Sequence, residues 1–104
     1  MRVNLLITGA SGFLGNEIAR QAIGDRRFHT VWGTRYSQRM RLQSGVRPVY
    51  LDVTQPAAVR QLLGDVLPQV VIHTAYNKRD ELLEAVTVQG TRHVAEAAAA
   101  IGAR

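Results

Sequence analysis

Val3-Asn4-Leu5-Leu6-Ile7-Thr8-Gly9-Ala10-Ser11-Gly12-Phe13-Leu14-Gly15 runs from a largely apolar segment into three glycines spaced three apart. An apolar run this short, ended by a glycine-rich turn, reads as a buried strand, here Arg2 to Thr8. Beyond the glycines, Leu14, Ile18 and Ala22 fall on one helical stripe with Ala19 and Ile23 beside it, while Glu17, Arg20 and Gln21 face away. Gly24 closes that helix. The stretch is therefore a strand, a tight turn and an amphipathic helix in direct succession. A turn of this kind suits a pyrophosphate: the first glycine allows the sharp bend, the second lets backbone N–H groups approach the phosphates, and the third lets helix and strand pack closely. The helix N-terminus adds free N–H groups and partial positive charge. No Lys-Ser or Lys-Thr follows Gly15, which excludes a mononucleotide P-loop.

The same alternation continues along the chain. Further strands are expected over Thr30 to Gly33, Pro48 to Leu51 and Gln69 to Thr74, rich in valine, leucine and isoleucine as strands covered on both faces should be. The polar, arginine-rich stretch from Tyr36 to Ser44 is either a short helix or a loop. Thr54 is placed to cap a helix with Pro56 in its first turn and Val59, Leu62, Leu63 and Val66 on its buried side. Pro68 ends that connection. A last helix is expected from near Asp80, with Leu83, Val86, Gly90, Val94, Ala97 and Ile101 at steps of three and four, and Gly102 as its stop. Gly90 inside a helix costs about 1 kcal/mol, so close packing against it is expected. Repeated strand-helix units imply an α/β domain with a parallel sheet.

Composition narrows the function classes. The 104 residues carry 46% hydrophobic and 20% charged residues, a globular balance for one domain. With no cysteine, neither a disulfide framework nor a thiolate metal site is possible. The apolar run at the start is too short to span a bilayer, and the expectation is a cytoplasmic protein with no membrane partner. The net charge of +5 and pI near 10.7 come almost wholly from arginine, Lys78 being the only lysine. About half of those arginines fall where ordinary helix surfaces are expected, and no nucleic-acid partner is expected. His29 opens a strand, His73 lies within a buried one, and His93 on the last helix has only Glu96 one turn on, too few ligands for a metal. Glu81 and Glu84 share a solvated helix face.

Four segments together carry a family resemblance. The Gly9-x-x-Gly12-x-x-Gly15 spacing, Leu51-Asp52-Val53-Thr54, Val71-Ile72-His73-Thr74-Ala75-Tyr76 and Val88-Gln89-Gly90-Thr91-Arg92-His93-Val94-Ala95-Glu96-Ala97-Ala98 occur in the order and spacing of the extended short-chain dehydrogenases/reductases that act on nucleotide sugars. The chain is similar to that superfamily throughout its length. The Ala75-Tyr76 pair looks most like the dTDP-4-dehydrorhamnose reductase group. The resemblance implies a Rossmann-type doubly wound parallel sheet, ending here after the fourth strand-helix unit, and a dinucleotide cofactor. The cofactor-binding residues it implies are Gly9, Ser11, Gly12, Phe13, Leu14 and Gly15 on the turn, Asp52 and Val53 by the adenine, and Thr74, Ala75 and Tyr76 along the cofactor. Where an acidic residue would select NAD, the chain reads Gly33-Thr34-Arg35-Tyr36-Ser37 with Arg39 following. Arg35 and Arg39 suit a 2′-phosphate, so NADP is expected in preference to NAD.

Two departures qualify the resemblance. Thr87 stands where the family often has asparagine. The family's catalytic tyrosine with a lysine four positions later is also missing, since Tyr36, Tyr50 and Tyr76 are followed at that distance by Met40, Thr54 and Asp80. Gly102-Ala103-Arg104 stands where the family enters its fifth strand, so an N-terminal fragment is expected. The expected function is the NAD(P)-binding portion of a reductase transferring hydride to a 4-keto nucleotide sugar, inactive by itself. The alternative is a non-catalytic dinucleotide-binding regulatory module, like the subunit that associates with methionine adenosyltransferase. The long apolar stripe of the last helix is compatible with a homodimer.

Overall fold

The computed structural model describes residues 3–35, 42–75 and 87–104. Within them the elements run β1 (Val3–Thr8), α1 (Phe13–Ile23), β2 (Phe28–Arg35), β3 (Arg47–Tyr50), α2 (Pro56–Val66), β4 (Val70–His73) and α3 (Gly90–Ala100). The strands form one parallel sheet in the order β3-β2-β1-β4. Because side chains alternate along a strand, β1 feeds two cores. Leu5 and Ile7 join Ala19 and Ala22 of α1, whereas Leu6 joins Val59 and Leu63 of α2 and Val94 and Ala97 of α3. Leu5, Leu6 and Ile7 are fully buried, each such side chain contributing about 1.5–3 kcal/mol of burial. Helices on both faces of a parallel sheet make this a doubly wound Rossmann-like α/β fold, as expected, and explain the largely apolar run of β1.

The strand order places the glycine turn. The order in which strands are added reverses at β1: β2 and β3 lie on one side of it and β4 on the other. Such a switch leaves a crevice at the carboxyl ends of the strands, and Thr8-Gly9 leads into it. β1 is in register with β4 there, Thr8 opposite His73.

The boundaries differ from the expected ones for physical reasons. β2 is longer, because pairing continues from Val3 with Phe28 to the Arg35–Tyr50 rung. β3 begins at Arg47 and accommodates Pro48, which an edge strand tolerates because its outer side needs no N–H. β4 is shorter, yet Gln69 N–H still bonds the Asn4 carbonyl (3.0 Å) and Thr74 N–H the Thr8 carbonyl (3.2 Å).

In α1, Leu14 is 59% exposed, so it does not belong to the buried stripe. That face is Gly15, Ala19 and Ala22, with Ile18 packed beside it. Close packing of Gly15 on the Gly9 carbonyl sets the roll of the helix and turns Leu14 outward. Thr54 does not cap α2: its hydroxyl donates to Asp52 (2.7 Å), and the cap position falls to Gln55 with Pro56 first in the helix. Val59 and Leu63 are fully buried on α2, and Leu62 packs against the same core.

Residues 42–46 form a turn with Gly45 at φ +95°. Most of the stretch read as helix or loop, and the start expected for the last helix near Asp80, lie outside the described residues. The α3 helix is entered through a π-helical turn at 87–89, with Gly90 buried at its start. It ends as expected: Gly102 adopts φ +74°, its N–H bonds the Ala99 carbonyl (3.1 Å), and Ala103 N–H bonds the Ala98 carbonyl (2.9 Å). Arg104 then lies along β4, its N–H on the Gln69 carbonyl (2.9 Å) and its carbonyl accepting from Val71 N–H (2.5 Å).

Candidate functional site

The three glycines of the turn do different things. Gly9 sits at φ +67°, a left-handed conformation, and a Cβ there would lie 2.8 Å from Thr74 Oγ1 and 2.9 Å from Ala75 N. At Gly15 a Cβ would collide with the Gly9 carbonyl and come within 2.8 Å of Thr74 Oγ1. These two positions are closed by the protein itself. Gly12 is less confined: a Cβ there would meet only the Gly9 carbonyl, at 3.3 Å, a tight contact that asks the carbonyl to give slightly.

Gly12 is also the N-cap of α1, with no side-chain cap; its own N–H turns back to the Gly9 carbonyl (3.0 Å), and its carbonyl takes the first helical bond, from Asn16 (2.9 Å). The N–H groups of Phe13, Leu14 and Gly15 thus have no acceptor within the helix. No acidic residue occupies the first turn. Orphan donors, a dipole end and missing side-chain bulk coincide at one point, which is what an anion requires. Phe13, 95% exposed, and Leu14 stand beside it as apolar surface facing solvent.

Hydroxyls hold the turn in place. Thr34, at the end of β2, accepts from Gly9 N–H through Oγ1 (3.1 Å), and its carbonyl accepts from Ala10 N–H (3.0 Å). Thr74 donates its hydroxyl to the Thr8 carbonyl (2.5 Å), with the Gly9 carbonyl at 3.3 Å. Thr8 Oγ1 accepts from Thr74 N–H (3.0 Å), with Ala75 N–H at 3.4 Å. Thr8 and Thr34 are the buried polar residues among the described ones, and neither is among the expected site residues. Their signal in the sequence is a hydroxyl at the end of an otherwise apolar strand, since a buried hydroxyl must find a partner.

The remaining expected residues sit around this turn. Arg35 ends β2, half-buried, and forms no ion pair with a described residue. Ser11 is half-buried on the turn. Asp52 follows β3, and its Oδ1 accepts from Thr54 N–H (3.0 Å) and Thr54 Oγ1 (2.7 Å), an Asx turn that leaves Oδ2 uncommitted among these bonds. The Val53 side chain is buried in the core shared by α2 and α3, and its carbonyl accepts from His93 Nδ1–H (2.8 Å). Ala75 packs against that same core. Arg39 and Tyr76 lie outside the described residues. His93 has no bond to Glu96, which pairs instead with Arg92 (2.9 Å), and no cluster of metal-ligating residues occurs among the described ones.

A cavity of about 380 Å³ lies between β3 and α2, lined by Tyr50, Asp52, Gln55, Leu62 and Asp65 among others. It shares only Asp52 with the expected set. Its two carboxylates, with no basic side chain in the lining to offset them, suit it poorly to a phosphate, and the glycine turn remains the place with the right chemistry.

The comparisons with known proteins agree with this geometry. The sequence pattern of the NAD dependent epimerase/dehydratase family matches residues 5–104. The dTDP-4-dehydrorhamnose reductase of Streptomyces griseus is 35% identical over 98% of this chain and 31% of its own length. The methionine adenosyltransferase 2 subunit beta of Xenopus tropicalis is 33% identical over 94% of this chain and 29% of its own. The crystal structure of the Bordetella bronchiseptica enzyme WbmH in complex with NAD+ superposes with a TM-score of 0.83 at 26% identity, covering 97% of this chain and 36% of that one. The chain thus spans about a third of the length of the relatives it matches. With a family match over nearly the whole chain, and a glycine turn built as that fold requires, the chain belongs to the NAD dependent epimerase/dehydratase family.

Proposed function

We propose that this chain is the dinucleotide-binding part of a reductase acting on a 4-keto nucleotide sugar, with NADPH favoured over NADH. The observation that carries the reading is the uncapped start of α1, with no side chain at Gly12 to stand in the way, at the carboxyl end of the central strand. The N–H groups of Phe13, Leu14 and Gly15 donate to the pyrophosphate, Ser11 adds a hydroxyl, and Gly9 holds the bend. Arg35, joined by Arg39, binds the 2′-phosphate. Asp52 and Val53 border the adenine. Thr74, Ala75 and Tyr76 line the path towards the nicotinamide. When bound, the cofactor supplies the hydride.

The reductase reading is supported by the 35% identity with the Streptomyces griseus reductase and by the Ala75-Tyr76 pair after β4. A second reading has its own support, the 33% identity with a methionine adenosyltransferase subunit, and would make the chain part of a regulatory subunit that binds the dinucleotide without turning it over. Titration calorimetry with NADPH and NADH tests what the two readings share. Hydride transfer to a dTDP-4-keto sugar separates them. This chain alone, with no tyrosine followed four positions later by lysine, is expected to stay at the buffer rate. A protein continuing past Arg104 into a Tyr-x-x-x-Lys segment is expected to reduce the sugar. Failure of that longer protein to turn over while still binding the dinucleotide would favour the regulatory subunit.

A further inference from the structure

We propose that His73 is a positioning residue: its imidazole, with the proton on Nε2, makes the Thr8 hydroxyl an acceptor and so holds the Thr74–Ala75 backbone against the glycine turn. The dinucleotide reading is needed only for the affinity part of the test below.

The observation is a chain of hydrogen bonds crossing three elements. His73 Nδ1 lies 2.6 Å from Thr8 Oγ1 on β1, and Nε2 lies 3.0 Å from Thr91 Oγ1 on α3. The proton positions follow from the outer members. Thr91 Oγ1 donates its one proton to the Thr87 carbonyl (2.5 Å), which can only accept. Towards His73, Thr91 therefore accepts, and Nε2 carries the imidazole proton. Thr8 Oγ1 accepts from the N–H groups of Thr74 and Ala75, so its own proton is free to reach Nδ1. With one proton on the neutral ring, every contact in the series has a donor and an acceptor. Thr74 N–H donates to Thr8, Thr8 to His73, His73 to Thr91, and Thr91 to Thr87.

The consequence falls on the turn. Thr8 is fully buried, so its proton needs an acceptor. Without Nδ1, the hydroxyl has reason to rotate towards a carbonyl and withdraw its lone pairs from the Thr74 and Ala75 amides. Those amides begin the segment against which Gly9 and Gly15 are packed, through Thr74 Oγ1 and Ala75 N. The groups facing the ring from β1 and α3 are uncharged hydroxyls, and burial alone pushes His73 below the ordinary histidine range. Both favour the neutral ring that the bonding pattern requires.

The test uses this chain and two substitutions that split the ring's functions. His73→Asn keeps an amide oxygen near the place of Nδ1, and His73→Gln places its amide near Nε2. Nitrogen-15 spectra of the unmutated chain at neutral pH are expected to show the Nε2–H tautomer. Amide hydrogen exchange at Thr74 and Ala75 is expected to stay within about twofold in His73→Asn and to quicken about tenfold in His73→Gln. NADPH affinity, read by calorimetry, is expected to fall by a similar factor only in His73→Gln. Equal exchange in the two variants, or an Nδ1–H tautomer in the unmutated chain, overturns the proposal. If His73→Gln does not fold, the tautomer decides. If no form binds a dinucleotide, the exchange contrast still tests His73, and the failure belongs to the functional reading.

Discussion

At Gly12 an added Cβ would approach only the Gly9 carbonyl, 3.3 Å away, and the backbone there, φ −79° and ψ 172°, suits any residue. Gly12→Val is therefore expected to fold, losing about 1–2 kcal/mol to that one tight contact, while its side chain fills the pyrophosphate's space and abolishes dinucleotide binding. Gly15→Ala is expected to do the reverse. Its methyl gains about 1 kcal/mol of helix propensity, but it meets a backbone carbonyl that cannot move aside, and overpacking of this kind costs about 1–3 kcal/mol or more. Thermal unfolding and calorimetry on the two variants check both halves of the contrast. A folded Gly12→Val with unchanged NADPH affinity would mean that the turn is only structural. Arg35, at the end of β2 with no ion pair to a described residue, is the side chain to which the proposed cofactor preference is assigned. Arg35→Ala is expected to reduce the NADPH-over-NADH ratio about tenfold, or ~1.4 kcal/mol. Equal affinities of the unmutated chain for the two cofactors would remove Arg35 from the site.

At the scale of elements, the α2–α3 layer rests on Leu63, fully buried against β1 and α3, and Leu63→Ala is expected to cost about 2–5 kcal/mol in urea unfolding. A loss below 1 kcal/mol would mean that the two helices repack freely. Asp52 belongs to the loop that enters this layer, and Asp52→Ala is expected to lower both stability and cofactor affinity, since the Asx turn that aligns the loop is lost with the carboxylate. Unchanged affinity beside a lower melting temperature would leave Asp52 a purely structural part. How far the sequence disclosed these elements depends on which force formed them. β1, mostly buried, announces itself as an apolar run, and the exposed edge strand β3 was legible from its place in the alternation of strands and helices, as were Gly102 and the glycine turn, whose conformations few other residues adopt. What stayed hidden depends on the fall of side chains in three dimensions. Leu14 looks core-facing until the close approach of Gly15 to Gly9 rolls the helix. Thr54 looks like a cap until Asp52 claims its hydroxyl. Thr8, His73 and Thr91 are far apart in sequence, and only the sheet register and the packing of α3 bring them together.

For the molecule as a whole, the response to acid separates buried from surface charge. His73 is pushed below the ordinary histidine value of 6.5 by burial. Above that pH the imidazole is neutral in both folded and unfolded chains and contributes no slope. As pH falls, the unfolded chain takes up a proton that the folded one resists, so stability declines until the folded group also titrates, by at most about 1.4 kcal/mol per pH unit for one proton. Glu17 and Asp25 act in a lower window. Arg20 holds Glu17 near 2 from an ordinary 4.5, and Arg27 holds Asp25 near 2 from 3.8, so whatever these pairs contribute is lost only as pH drops through that acid range. Both pairs lie at the surface, where salt screens them, whereas the desolvation of His73 is insensitive to salt. The unfolding midpoint in urea is thus expected to fall in two legs, the first beginning near pH 6.5 and unchanged by added salt, the second below about 4.5 and weakened by it. His73→Asn should flatten the first leg and leave the second. If the midpoint stays level from pH 6.5 to 5 in the unmutated chain, the ring either accepts a proton without cost or lies in water, and neither is compatible with a neutral imidazole held between Thr8 and Thr91.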